Sequence, residues 1–281
     1  MVIHTWNSTP MDKINVIKVG GAVVEDSASL GELINQFATM PGYKVLVHGG
    51  GRSATKIAAQ LGIESHMVGG RRITDEDMLQ VVTMVYGGLV NKRIVAALQA
   101  KGVNAVGLTG ADMDIIRSHK REPKMVTMDD GTQQMVDFGF VGDVDSANGK
   151  RLTALIKPLE GVEAVVPVVA PLTHDGKGNI LNTNADTMAA TVAKALTEEF
   201  EVTLTYCFEK PGVMANADDD DSVISSINTE IYAQLKQDGI VSGGMIPKLD
   251  NAFDSLNEGV KRVVITHFTD IEAKRGTIIE K

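Results

Sequence analysis

Two lysines, Lys18 and Lys248, each stand beside a run of glycines, and Asp186 lies between them in the chain. Lys18 interrupts the apolar run Val16-Ile-Lys-Val19, which ends in Gly20-Gly21. A charge in such a run costs free energy to bury unless an anion meets it. The glycines leave backbone N–H groups open to close approach. Lys248 ends a second stretch of this kind, Gly239-Ile-Val-Ser-Gly-Gly-Met-Ile-Pro-Lys248. Ammonium groups beside bare backbone N–H suit the oxygens of a phosphoryl group. Asp186 closes Leu181-Asn-Thr-Asn-Ala-Asp186 and has the charge to hold both lysines. A helix N-cap is the plainer role for it. The set fits phosphoryl transfer, where a protein mainly positions groups and neutralises charge. No general base is evident. A hydroxyl acceptor usually needs one, whereas a carboxylate with a pKa of about 4.3 is already ionised at neutral pH. The expected acceptor is a carboxylic acid.

The surrounding pattern predicts the elements that hold these groups. Val16 to Val19 reads as a buried strand, and Val45-Leu46-Val47 as a second that runs into His48-Gly49-Gly50-Gly51. A helix over 52–61 follows at once, an arrangement that binds anions at a helix N-terminus. Gly49, Gly51 and Ala54 also loosely fit a dinucleotide fingerprint. That supports a nucleotide-dependent oxidoreductase as a rival, but leaves both lysines without roles. No Walker A motif occurs. Further helices are expected over 27–38, 75–101 with Thr74 as N-cap, 149–156, 187–196 and up to 258. The glycine pair Gly87-Gly88 in the longest helix implies either a kink or close packing against another backbone, such as that of a second subunit. Strands are expected over 103–108, 164–169, 202–208, 262–266 and 276–279. Residues 113–142 alternate as antiparallel hairpins do, with a turn at Asp129-Asp130-Gly131. Strands and helices otherwise alternate, which predicts an α/β fold: an open, mostly parallel sheet sandwiched between helices. Ligands of such sheets bind beyond the carboxyl ends of the strands. Lys18, Gly49 to Gly51, Asn182 to Asp186 and Glu209 to Gly212 all fall at such ends. Asp218 to Asp221 reads as a solvated acidic loop.

The chain has 281 residues, 43% of them hydrophobic, enough for one large domain or two lobes. A formal net charge of −9 argues against nucleic acid or an anionic membrane as partner. Cys207 is the only cysteine, so no internal disulfide forms, and a reducing, cytoplasmic setting is expected. No signal-peptide pattern opens the sequence, and no apolar run approaches the ~20 residues needed to span a membrane. Residues 1–13 lack periodicity and are expected to be a flexible lead-in.

Together, Lys18-Val-Gly-Gly21, His48-Gly-Gly-Gly51, Gly70-Arg-Arg-Ile-Thr-Asp75, Val106-Gly-Leu-Thr-Gly110, Phe138-Gly-Phe-Val-Gly-Asp143, Leu181 to Asp186 and Gly243-Gly-Met-Ile-Pro-Lys248 resemble the acetylglutamate kinases of the amino acid kinase superfamily. The resemblance spans about residues 14–279. It implies ATP-dependent phosphorylation of the side-chain carboxylate of N-acetyl-L-glutamate, with Mg²⁺, in arginine biosynthesis. Residues 14–172 would form an N-lobe for the acyl-amino acid and 173–281 a C-lobe for ATP, with the 113–142 hairpins as a lid. Lys18 and Lys248 would stabilise the moving phosphoryl, and Asp186 would orient both. Gly50 and Gly51 would meet acceptor or phosphate through backbone N–H, and Arg72 and Asn182 would hold the substrate's α-carboxylate. Gly20, Gly21, Glu209, Lys210, Pro211, Gly212, Val213, Met214, Ile240, Val241 and Ser242 would border the nucleotide. No protein-held metal site is implied. The long N-terminal helix of arginine-inhibited hexamers is not seen, so a homodimer through the 75–101 helix is expected. Other members of the superfamily act on glutamate, aspartate, carbamate or UMP and stay as alternatives, as does a catalytically dead amino-acid sensor. Glu209 stands where the family usually has aspartate, and the segment between Thr266 and Gly276 is short. Arg71 stands where the family often has a neutral residue. It either meets a second carboxylate on the acyl chain, as in N-succinyl-glutamate, or points to solvent, as strand alternation would have it.

Overall fold

The computed structural model describes residues 11–128, 131–157, 160–216, 218–271 and 275–281. An eight-stranded sheet crosses the molecule. Its order is Ser226–Ile227, Thr277–Ile279, Arg262–His267, Phe200–Phe208, Asp12–Val19, Tyr43–His48, Val166–Val169, Ala105–Leu108. Every neighbouring pair is parallel except Arg262–His267 with Thr277–Ile279. The expected open, mostly parallel sheet is present, with helices on both faces.

The central strand Asp12–Val19 explains how the site is placed. Successive residues of a strand alternate between faces. Ile14 and Val16 join the core shared with helices Ala185–Ala195 and Met245–Asn257. Ile17 and Val19 join the opposite core, under helix Ser27–Thr39 and the long helix that starts at Glu76. Lys18 therefore shares the face of Val16, where helix Ala185–Ala195 packs. The strand begins earlier than its apolar run. Asp12 and Lys13 already pair with Phe200 and Glu201, because ladder hydrogen bonds do not need apolar side chains. That corrects the lead-in at residues 12 and 13; residues 1–10, and the turn residues Asp129 and Asp130, lie outside the described residues.

The long helix runs without a break as Glu76–Val82, a π-helical stretch Thr83–Val90, and Asn91–Gln99. The glycine pair thus sits in a π-helical segment, a form frequent at functional sites. A Cβ on Gly87 would meet Leu172 Cδ1 at 3.5 Å, whereas one on Gly88 would enter open space. By length and composition alone this helix passes for a membrane span, with mean hydropathy 1.3 over 18 residues. Met78, Val81, Val82, Ile94 and Leu98 are buried in the protein's own core, which accounts for that apolarity. Its cap differs from expectation. Asp75 accepts the Met78 N–H at 2.8 Å and is the N-cap. Thr74 is buried and accepts from Asn182 Nδ2 at 2.9 Å, so a tertiary partner outbids the local one.

The antiparallel segment is as expected in kind. Ile116–Lys120 pairs with Gly142–Ala147, and Lys124–Thr127 with Gln133–Val136. Its base is not free-standing, because Ile116–Lys120 joins Leu172–His174 and Ile180–Asn182 in a four-stranded sheet. The ribbon thus grows out of Leu172–His174, the neighbour of the strand that leads into Asp186.

Candidate active site

Lys18 Nζ lies 2.7 Å from Asp186 Oδ1, and both side chains are largely buried. Asp186 is free for this because Asn184 caps the helix, its Oδ1 accepting from the N–H groups of Asp186 and Thr187. Lys248, in the first turn of helix Met245–Asn257, stands 4.0 Å from the centre of the Phe208 ring. Lys18 Nζ is 5.4 Å from the same ring. Phe208 is thus a shelf common to both ammonium groups. Burial lowers the Lys248 pKa, the charge of Asp186 opposes the fall and that of Lys18 adds to it. Asp186 makes its ion pair with Lys18 and reaches Lys248 through its field.

Two glycine turns meet beside Lys18. A Cβ on Gly49 would come 3.2 Å from the Gly21 nitrogen, and one on Gly21 3.5 Å from the nitrogens of Gly50 and Gly51. Side chains here would fill the space the backbone N–H groups need. Gly49 donates to Val19 O at 3.0 Å, tying the turns together. Helix Gly51–Gln60 starts at this point, so its N-terminal N–H groups add positive potential. Glu25 meets part of it, accepting the Ser53 N–H at 2.6 Å.

Behind the turns, His48 is fully buried. Its Nδ1 lies 2.8 Å from Gly49 O and its Nε2 3.1 Å from Asn91 Nδ2. Burial pushes the imidazole down to about 4, so it is neutral, with Nδ1 donating to Gly49 O and Nε2 accepting. Asn91 also donates to Val168 O at 2.9 Å and accepts from Lys92 Nζ at 3.2 Å. A Cβ on Gly107 would come 1.8 Å from Asn91 Oδ1, so only glycine leaves this amide its place.

A cavity of about 200 Å³ opens from the glycine turns. Gly50, Gly51, Arg71, Arg72, Tyr86 and Asn182 are part of its wall. Arg72 reaches it from a ribbon, Met67–Val68 with Arg71–Arg72, turned by Gly69 and Gly70. Both glycines have positive φ, 54° and 73°, as a tight hairpin turn requires. Arg72 Nη2 donates to Gly51 O at 2.9 Å and Thr55 Oγ1 at 2.8 Å, and Nη1 donates to Ser65 Oγ. Its fork therefore fixes the start of helix Gly51–Gln60 while its edge lines the cavity. A second cavity has Gly20, Gly21, Gly51, Phe208 and Glu209 in its wall.

The arrangement matches a known pattern. The model of the amino acid kinase family matches residues 13–267. The chain belongs to this family. It is 59% identical over 270 residues to the acetylglutamate kinase of Bacteroides thetaiotaomicron, covering 96% of this chain and 99% of that one. It is 57% identical to the acetylglutamate kinase of Phocaeicola vulgatus, with the same coverage. The solved structure of smu.665 from Streptococcus mutans superposes with a TM-score of 0.73 at 26% identity, covering 95% of this chain and 98% of that one.

Within this amino acid kinase fold, the residues singled out in the sequence fall into three groups. Lys18, Lys248 and Asp186 converge with Gly20 and Gly21. Gly50, Gly51, Arg72 and Asn182 line the first cavity. The nucleotide segments are mixed. Glu209 lines the second cavity, Lys210 pairs with Asp220 at 3.0 Å, and Pro211 is half-buried. Val213 and Val241 are core residues with buried side chains. A Cβ on Gly212 would clash with Thr277 Oγ1 at 2.8 Å, which instead accepts the Val213 N–H at 2.8 Å. Met214 bridges Val223, while Ile240 and Ser242 are exposed. Asn91, Tyr86, Phe208 and Arg121 also belong to the site, and no motif in the sequence points to them. A Phe at a strand's end carried no signal. His48 did, as an imidazole preceding three glycines in an otherwise apolar strand.

Proposed function

We propose that the chain phosphorylates the side-chain carboxylate of N-acetyl-L-glutamate at the expense of ATP, a step of arginine biosynthesis. The buried Lys18–Asp186 pair beside two facing glycine turns, one of which lines a cavity with Arg72 and Asn182, is the observation that carries this reading. An acceptor carboxylate oxygen attacks the γ-phosphorus, the bond to the β-γ bridging oxygen breaks, and an acyl phosphate and ADP result. No proton has to be removed, which agrees with the lack of a base in the cavity. Lys18 and Lys248 neutralise charge spread over the moving phosphoryl oxygens. Backbone N–H groups of the glycine turns give directed donors to the same oxygens. Asp186 keeps Lys18 in place without taking part in bond changes.

The kinase names borne by close relatives support ATP as co-substrate. Among the described residues no three His, Cys, Asp or Glu side chains cluster to hold a metal ion by themselves. A Mg²⁺ ion usually keeps several waters and binds through phosphates and one or two carboxylates, so it would enter on the nucleotide, with Asp186 a nearby carboxylate that could hold it. It would neutralise β- and γ-phosphate charge. In our reading residues 14–172 serve the acyl-amino acid and 173–281 the nucleotide, the 113–142 ribbon is the lid, and the enzyme is a cytoplasmic homodimer. The dimer rests on the long helix, where Met84 and Leu89 are more than half exposed and Gly88 faces open space. The test is ATP consumption against a panel of glutamate derivatives, with aspartate, carbamate and UMP as controls. Turnover confined to a control acceptor would move the chain elsewhere in its superfamily, and NAD(P)H binding without turnover would favour the oxidoreductase.

A further inference from the structure

We infer that Arg71, with the charge of Arg121 behind it, forms an anion-binding subsite on the wall of the acceptor cavity, and that the preferred acceptor is an N-acyl-L-glutamate whose acyl chain ends in a second carboxylate, as in N-succinyl-L-glutamate. The inference rests on the function proposed above and names the substrate class of the same site.

Arg71 and Arg72 are sequence neighbours in a strand, and strict alternation would send one of them to solvent. Both line the cavity instead. The strand is only two residues long and follows a hairpin turn, so no sheet face constrains where the pair points. The two differ in what they already hold. Arg72 has given its terminal nitrogens to Gly51, Thr55 and Ser65. Arg71 is half-buried, and Asp143 is the one carboxylate whose charge acts on it.

Asp143 is not free to serve Arg71. Arg121 grips it, with Nε 3.0 Å from Oδ2 and 3.1 Å from Oδ1 and with Nη2 on Oδ1 as well. The Arg121 side chain is nine-tenths buried. Its Nη1 is shut off from solvent and has no hydrogen-bond partner among the described residues. The backbone N–H of Arg121 donates to Val141 O at 2.8 Å, and Val141 is part of the cavity wall. Two guanidinium groups thus share one carboxylate behind the acceptor cavity, and one buried donor is unmet. The charge of Arg121 lowers the Arg71 pKa beyond the effect of burial, and Asp143 only partly opposes it.

Two neighbouring cations sharing too little negative charge are costly, and a neutral acetyl methyl would leave Arg71 without a counter-ion on the cavity wall. A terminal carboxylate would meet Arg71 on the cavity wall through a charge-assisted bond, the interaction guanidinium groups make best, and its charge would offset the nearby charge of Arg121. A site built around such a bond rejects analogues that lack the partner group.

The experiment compares kcat/KM for N-succinyl-L-glutamate and N-acetyl-L-glutamate with saturating ATP, in the parent chain, Arg71→Leu and Arg71→Lys. The parent should favour the succinyl acceptor at least tenfold. Arg71→Leu should lower the succinyl-to-acetyl ratio by at least tenfold, and Arg71→Lys should restore part of it. Equal or better use of the acetyl acceptor by the parent overturns the inference while leaving the kinase function in place. A succinyl preference that survives in Arg71→Leu overturns the role of Arg71. If neither acceptor turns over, the function proposed above falls, and calorimetric binding of the two acyl-glutamates to the parent decides the subsite by itself. Equal affinities then overturn it.

Discussion

Acid should unseat the glycine turn through His48. The ring is neutral and buried, with Nδ1–H given to Gly49 O and Nε2 facing the Asn91 amide nitrogen. Protonation would set an N–H against the N–H of Asn91. The amide cannot answer by flipping, because its nitrogen also serves Val168 O and its oxygen also takes Lys92 Nζ. Burial lowers the folded pKa to about 4, against 6.5 for an exposed imidazole. Between those values the unfolded chain binds the proton and the folded chain does not. Stability from this group is therefore complete above about pH 6.5 and is lost as pH falls toward 4. The separation corresponds to on the order of 3 kcal/mol at the acid end. The assay is urea denaturation from pH 7.5 to 4.5 in the parent and in His48→Gln, with kcat followed over the same range. Several carboxylates are also held low, among them Asp143 and Asp26, but they titrate below their ordinary 3.8 and act outside this window. His119 is raised by its hydrogen bond to Asp145 and works in the opposite sense, equally in both proteins. The difference between the two proteins should shrink by roughly 2–3 kcal/mol on acidification. Parallel pH curves would refute the assignment of a neutral, buried His48.

Other outcomes follow from the same geometry. Lys248→Ala should cut kcat by about 10²–10³, the effect of losing one transition-state donor at ~3–4 kcal/mol, with an unchanged melting temperature, since this lysine makes no ion pair among the described residues. Lys18→Ala should cut kcat comparably and also lower the melting temperature, because it strands Asp186; differential scanning calorimetry separates the two variants. Asp186→Asn should lower kcat far more than it raises KM, and a change confined to KM would make Asp186 a substrate ligand. Leu89→Asp should convert the proposed dimer to monomer in sedimentation velocity, and an unaltered sedimentation coefficient would remove the long helix from the interface.

The fold was legible where the signal was local. Apolar runs of β-branched residues mark strands such as Val16 to Val19 and Val45 to Val47, and glycines mark their ends. The site was legible at Lys18, Gly49 to Gly51, Asn182 to Asp186 and Lys248, because polar residues there break an apolar or helical pattern. Contacts across long separations left no such trace. Asn91 reads as an ordinary helix residue, yet it holds His48 from 43 residues away. Thr74 precedes an acidic helix start and looks like a cap until Asn182, 108 residues on, takes its hydroxyl. Arg121 reads as a surface charge in a polar ribbon, and only folding buries it against Asp143 and Phe138. The short helix Gly21–Glu25 opens without a side-chain cap and carries no start signal.

The charges around the glycine turns explain why one strand organises the site. Lys18 emerges from the middle of the sheet, with Tyr43–His48 on one side and Phe200–Phe208 on the other. Its position is thus fixed to both halves of the molecule at once. Around it stand the N-terminus of helix Gly51–Gln60, the guanidinium of Arg72 on Gly51 O, and Lys248 across Phe208. Facing them are Asp186 and Glu25, each already engaged. A chain with a net charge of −9 has no shortage of carboxylates to place there. Leaving the positive groups in excess at this one point is a local choice against the overall composition. Such an excess is repelled within the protein and is relieved only by an anion from outside. In the proposed reaction a nucleoside triphosphate and an amino acid carboxylate would bring that charge to Lys18, where the phosphoryl group would pass between them.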